Sequence, residues 1–304
     1  MRFLHPLAVI LLIAATASGQ DRDAITVLHA GAPVPYEAML ADLAKADVVL
    51  VGEQHGLTAG HAFEARLLQS LTSAAPRLTL SLEMFESDIQ LVLDEYLRGQ
   101  ITESAFLAAS RPWPRYKSDY RPLIEWSRAH QIKVVAANVP RRYVNIVSRQ
   151  GQGALRMLSR DSRRYLPRLP YSMQISPGYE QALDAIFGGG HDSAGAAGMP
   201  TVEHMKQAQA LWDIGMAESV LRARRSHRNG VILHICGSMH CERGYGITER
   251  LRAASRGLTI RTVIIRTEGS LVDAQSTELG DYIVVCPPNP TVSDELEQPA
   301  ARSR

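Results

Sequence analysis

Three residues able to do chemistry sit where short apolar runs end. His55 follows VVLVGEQ, Glu83 lies inside LTLSLEMF, and His240 follows VILHICGSM. The first and third runs close on the same pattern, Gly-x-x-His, as Gly52 to His55 and Gly237 to His240. Two imidazoles and a carboxylate suit a divalent transition metal such as zinc or manganese with open coordination positions. They suit equally a metal-free acid/base group in which Glu83 fixes a histidine tautomer. Glu53 and His61, near His55 in the chain, are of the right type to support such ligands from behind. Taken singly, each of these residues also reads as a polar strand end satisfied by loop backbone.

What could bring them together is the sheet implied by the runs. A short apolar run closed by Gly reads as a strand buried on both faces, and such strands belong to parallel sheets. Ligands of open α/β sheets lie at the carboxyl ends of their strands. Strands are expected over the apolar run 48–51 that Gly52 closes and at 78–85, 133–139, 231–236, 258–267 and 281–286, alternating with helical patterns such as 61–74 and 120–131. Ser87 is expected to cap a helix running to Tyr96, with Gly99 at its end. The alternation predicts an α/β fold, a mainly parallel sheet flanked by helices and joined by right-handed crossovers. Residues of about 140–227 show no strand pattern and read as a helical insertion between the two halves of the sheet.

The chain's ends carry a different message. Residues 1–19 have a basic Arg2, an apolar core and then Ala17, Ser18 and Gly19, the layout of a secretory signal peptide. The core is too short to span a bilayer, so no stable membrane anchor is expected after cleavage, and the mature protein is expected in the periplasm or secreted. A domain of 20–287 is expected, followed by a Pro- and acid-rich tail, 288–304, of disordered character. The composition, 45% hydrophobic and 21% charged, is that of an ordinary globular protein, and a net charge of +2 gives no argument for nucleic acid. Cys236, Cys241 and Cys286 form no C-x-x-C or haem-attachment motif. They are expected as free thiols, with a Cys236–Cys241 disulfide as the alternative.

The segments VVLVGEQH with His61, LEMFESDIQLVLDEYLRGQIT, Trp113-x-x-Tyr116 with YRPLIEW, VVAANVPRRY, and AQALWDIGMAESV with HICGSMH occur in one order. Through them the chain resembles the ChaN-like haem-binding uptake family, within the group containing the Tiki and erythromycin-esterase-like proteins. The resemblance implies haem-iron uptake or storage, with haem held between two subunits through tyrosine in some members, hence a possible homodimer. It also implies an alternative. Tiki-like relatives use paired Gly-x-x-His motifs and a Glu for metal-dependent peptide cleavage, which match His55, Glu83 and His240 here as catalytic residues. The insertion supports haem on its own terms. Between residues 141 and 168 stand eight arginines and one acid, Asp161. Arg163 and Arg164 can pair propionates, and Tyr165, Tyr171, Tyr179 and His191 can ligate ferric iron. The same arginines also read as a solvated basic helix face, and the tyrosines as packing residues.

Overall fold

The computed structural model describes residues 25–75, 77–169, 171–172, 175–188, 200–227, 229–270 and 278–290. The expected signal peptide, His191 and most of the expected tail lie outside them. The strands are β1 (Thr26–His29), β2 (Ala32–Pro33), β3 (Val48–Glu53), β4 (Leu78–Glu86), β5 (Lys133–Asn138), β6 (Val231–Gly237), β7 (Ile260–Thr267) and β8 (Tyr282–Cys286). The helices are α1 (Tyr36–Leu43), α2 (Thr58–Ala74), α3 (Gln90–Leu97), α4 (Glu103–Ser110), α5 (Tyr116–Asp119), α6 (Arg121–Ala129), α7 (Arg141–Gln150), α8 (Arg160–Arg163), α9 (Pro177–Gly188), α10 (Val202–Ser226) and α11 (Ile247–Ala254).

One eight-stranded sheet runs in the order β2-β1-β8-β7-β3-β6-β4-β5. Strands β3 to β8 are mutually parallel, and β1 runs antiparallel to β8. Every residue of β3 and β6 is buried, which is why these strands read as unbroken apolar runs rather than alternating ones. Alternate side chains still sort to opposite faces. Val49, Val51, Leu80, Leu233 and Ile235 pack with Phe63, Leu67 and Leu71 of α2, while Val48, Leu50 and Ile232 pack with Met216 and Val220 of α10 and Leu251 of α11. Each such fully buried Leu, Ile, Val, Phe or Met contributes on the order of 2 kcal/mol.

Between β5 and β6 the described residues hold helices α7 to α10 and no strand. This insertion has its own apolar cluster, including Val144, Val147, Leu155, Tyr171 and Leu211. In the chain it separates the two groups of strands; in space the groups interleave. Strand β6 enters between β3 and β4, matching Val48 to Ile232 on one side and Leu78 to Val231 on the other.

One local expectation changes. Ser87 does not cap a helix: its Oγ is buried without a hydrogen-bond partner, and 87–89 form a 3₁₀ turn before α3. The tight exit from β4 turns the hydroxyl inward. Asn289, just past the expected domain, reaches back to accept from the Thr58 N–H at 2.9 Å and donate to the Gly56 carbonyl at 2.8 Å. It caps α2, whose own flanking residue, Leu57, offers no side-chain acceptor. All three cysteines are free and buried.

Candidate functional site

The order β3-β6-β4 puts the ends that carry His55, His240 and Glu83 side by side, with β6 in the centre. Glu83 lies where the β4–β5 register shifts, between Leu82 and Glu86. Such an irregularity re-aims a side chain. The Glu83 carboxylate turns across β6, where Oε2 accepts the Gly237 N–H at 2.7 Å and Oε1 stands 3.5 Å from His240 Nε2. His240 arrives on the 3₁₀ turn Ser238–His240 directly after β6. His55 completes the group: a Cβ on Gly237 would lie 3.0 Å from His55 Nε2 and 3.7 Å from Glu83 Oε2. The glycine of the second motif is therefore the floor on which the histidine of the first motif rests.

Each imidazole is held from behind by a carboxylate. Glu53 Oε1 meets His55 Nδ1 at 2.5 Å, and Asp213 Oδ1 of α10 meets His240 Nδ1 at 2.6 Å. Both Nε2 atoms are thereby left on the Glu83 side. Asp213 in turn accepts from the Tyr179 hydroxyl at 2.8 Å, and Gln209 lies 3.2 Å from that hydroxyl and 3.0 Å from His240 Nδ1. The electrostatics follow. Burial opposes ionisation of Glu83, but His240, the Gly237 N–H and His55 outweigh it and bring its pKa down to about 2. Burial also opposes a charged His240, yet Glu83 and Asp213 raise its pKa well above the usual histidine range. The Glu53 hydrogen bond likewise raises that of His55. The group is a carboxylate between two imidazoles that favour protonation in the absence of a competing cation.

Behind His55 lies a second cluster, which sequence reasoning found only in part. His61 Nδ1 is 3.0 Å from Glu64 Oε2 and 3.8 Å from Glu53 Oε2, and His61 Nε2 is 3.3 Å from Asp119 Oδ2. The Tyr120 hydroxyl donates to Glu53 Oε1 at 2.7 Å. Glu64 was hidden because it stands among the buried apolar positions of α2; a carboxylate three residues after His61 on that face was the available signal. Burial, then the charge of Glu53, pushes the Glu64 carboxyl well above its usual range, and burial lowers the pKa of His61. Trp113 was also missed as a site residue. It meets the His55 ring edge-on at 5.3 Å, in a loop whose flanking Arg111 and Arg115 both adopt positive φ.

The residues nominated for haem separate. Tyr165 borders a cavity of about 430 Å³ together with Arg164, Leu166, Pro167, Val139 and Arg222. Its hydroxyl accepts from Arg164 at 2.7 Å, and the Arg164 and Arg142 guanidinium carbons lie 4.8 and 5.9 Å from its ring centroid. Arg163 is turned onto the backbone carbonyl of Arg156. Tyr171 is buried in the insertion's apolar cluster, and burial raises its pKa. Tyr179 is buried too and is committed to Asp213; burial and that carboxylate raise its pKa.

A model of the family described as haem-binding uptake, Tiki superfamily, ChaN, matches residues 39–251. Among solved structures the chain is similar to ChaN of Campylobacter jejuni, whose structure is described as cofacial heme binding. The identity is 20% and the TM-score 0.66, over 86% of this chain and 96% of that one, a likeness of fold. It is also similar to the erythromycin esterase EreC, as its H289N mutant in an open conformation, at 13% identity and TM-score 0.49, over 83% of this chain and 93% of that one. No curated protein matches.

Proposed function

The chain belongs to the haem-binding uptake family of the Tiki superfamily, ChaN, and we propose that it binds haem and serves haem-iron uptake or storage outside the cytoplasm. The observation that carries this reading is the family match across residues 39–251, which includes both Gly-x-x-His ends and the whole helical insertion. The chain's own residues fit the group in the cavity beside Tyr165. Its volume lies within the roughly 300–1,000 Å³ usual for ligand sites. Leu166, Pro167 and Val139 offer apolar contact, Arg164 and Arg222 offer charge for propionates, and the Tyr165 phenol offers oxygen to ferric iron. Bound haem would supply the iron and its ligand-exchange chemistry; the protein's part is to hold it and keep its carboxylates paired. Among the nominated tyrosines, Tyr165 is favoured because Tyr171 and Tyr179 are enclosed and their phenols resist ionisation.

A homodimer with haem at its interface belongs to the same reading. Met157, 89% exposed beside Arg156 and Arg160, supplies apolar surface on the insertion for such a contact. Export rests on the N-terminal sequence, and among the described residues no helix is long and apolar enough to cross a membrane.

A second reading, a metal-dependent hydrolase, is favoured by one observation. Each imidazole is fixed through Nδ1, His240 Nε2 lies 3.5 Å from Glu83 Oε1, and the His55 ring is seated against Gly237 beside them. There His55, Glu83 and His240 would hold zinc or manganese, with Glu53 and Asp213 orienting the rings.

One titration separates the two. Haemin added to the processed chain should give a saturable Soret band, shifted in Tyr165→Phe and weakened at least tenfold in Arg164→Ala/Arg222→Ala, while His55→Ala leaves it unchanged. No saturable band, together with stoichiometric zinc or manganese that His55→Ala loses, would replace the haem reading with the hydrolase.

A further inference from the structure

The cluster behind His55 contains more buried acid than its donors satisfy. The side chains of Glu53, His61 and Glu64 are 1%, 3% and 0% exposed. Asp119, also buried, has its own counter-charge in Arg115 at 2.9 Å. Glu53 uses Oε1 for His55 and Tyr120. Glu53 Oε2 and Glu64 Oε1, however, are buried with no hydrogen-bond donor at all. An unpaired buried carboxylate oxygen is strongly unfavourable, and two in one cluster are more so. Something positive must serve the two carboxylates: a shared proton or a cation.

We propose that Glu53, His61 and Glu64 form a divalent transition-metal site, separate from the His55–Glu83–His240 group, that takes zinc or manganese. One donor atom from each of the three residues lies within 4.8 Å of the other two. A metal held at about 2.0–2.2 Å by N and O donors spreads those donors roughly 3–3.6 Å apart. His61 Nδ1 already stands 3.0 and 3.8 Å from the two glutamate oxygens, so two of the three edges are within a few tenths of an ångström of that spread. A His and two carboxylates is a donor set for zinc, manganese or iron rather than for the harder alkaline-earth ions. His61 Nδ1 now serves Glu64 Oε2, while Nε2 accepts the Gly56 N–H at 3.2 Å and lies 3.3 Å from Asp119 Oδ2. Metal at Nδ1 would move the ring proton to Nε2, where Asp119 Oδ2 takes it in place of the Gly56 contact. Closed off from solvent, the ion is structural: it fixes Glu53 through Oε2 while Oε1 orients His55. The site does not depend on the haem reading.

The test counts metal in the full chain, stripped by chelator, reloaded with Zn²⁺ or Mn²⁺ and desalted. Wild type and Glu83→Gln should each retain one equivalent that Glu64→Gln lacks, with Zn²⁺ affinity at least tenfold weaker in Glu64→Gln. Added metal should raise the melting temperature of the first two proteins and not of the third. Equal metal in wild type and Glu64→Gln, or none in either, would overturn the site and leave a proton shared by Glu53 and Glu64. If Glu64→Gln does not fold, Co²⁺ titration of Glu83→Gln decides: visible d–d absorption saturating at one equivalent supports the site, and its absence overturns it.

Discussion

The two Gly-x-x-His strand ends share a spelling and differ in almost everything around it. His55 is half in solvent, 53% exposed by side chain, and is steadied by Glu53 from its own strand two residues earlier. His240 is 7% exposed and is steadied by Asp213, which comes from α10 in the insertion with Tyr179 and Gln209 behind it. Their glycines differ as well. A Cβ on Gly52 would stand 2.8 Å from the Ser238 backbone and 2.9 Å from Cys241 Sγ, whereas one on Gly237 meets the half-exposed His55 ring. The first motif thus pairs a half-exposed imidazole with a tightly enclosed glycine, and the second an enclosed imidazole with a glycine that faces the His55 ring. Identical short motifs can differ in which of their two ends the fold holds fast.

The sharpest way to break that contrast is Asp213→Ala. It strips a buried imidazole of its partner and leaves the Tyr179 hydroxyl unpaired, so a loss of about 3–5 kcal/mol is expected in urea unfolding. Stability against pH tests the enclosed imidazole next. Glu83, with a native pKa of about 2, contributes stability that is present above its unfolded value near 4.5 and is lost as pH falls toward 2. The shift corresponds to something on the order of 3 kcal/mol. His234, buried beside Ser81 with its pKa lowered by burial to about 4, adds to the same acid limb, from near 6.5 downward. His240 has the opposite sign: its pKa is raised, so its contribution is complete below about 6.5 and fades on the alkaline side. Unfolding free energy measured from pH 8 to pH 3 should fall on the acid side, and His234→Gln should remove the part between pH 6.5 and 4.

The glycines sharpen the comparison further. Gly52→Ala should cost about 1–3 kcal/mol, because backbone must shift to admit the methyl group. Gly237→Ala should cost less stability and displace His55, read as a changed His55 ring signal by NMR. The smallest effect is expected for His55→Ala: within about 0.5 kcal/mol in melting experiments, since a half-exposed ring supports little of the fold. A larger loss there would erase the distinction between the two ends.

Much of this was visible in the chain. The apolar runs closed by Gly gave β3 and β6, because strands buried on both faces read as unbroken apolar runs, and the Leu- and Val-rich runs before Ser87 and Pro140 gave β4 and β5. His55, Glu83 and His240 were singled out by their place at strand ends, and the fold sets those ends side by side. The supporting carboxylates were not. Glu64 and Asp213 sit on helix faces that pack inward, where helical period alone reports apolar burial. Gln209 and Asp213, four residues apart on the buried side of α10, were the faint trace. Tyr179 was read as a ligand for haem by its type; only the fold shows its hydroxyl already engaged. Nor does any local signal reveal that β6 returns between β3 and β4, since strand order is a property of long-range packing.

That return has a bearing on how the protein is made. While a ribosome has delivered only the first two hundred residues, β3 and β4 exist as sequence but have no neighbour to join them, and each exposes an edge ready to pair wrongly. The nascent chain must hold these edges apart until Val231–Gly237 emerges, and the partner for β3 on its other side, β7, comes later still. Pairings this distant in the chain form slowly. Late arrival therefore keeps the chain open: until Val231–Gly237 has been made, β3 and β4 cannot be joined into one sheet.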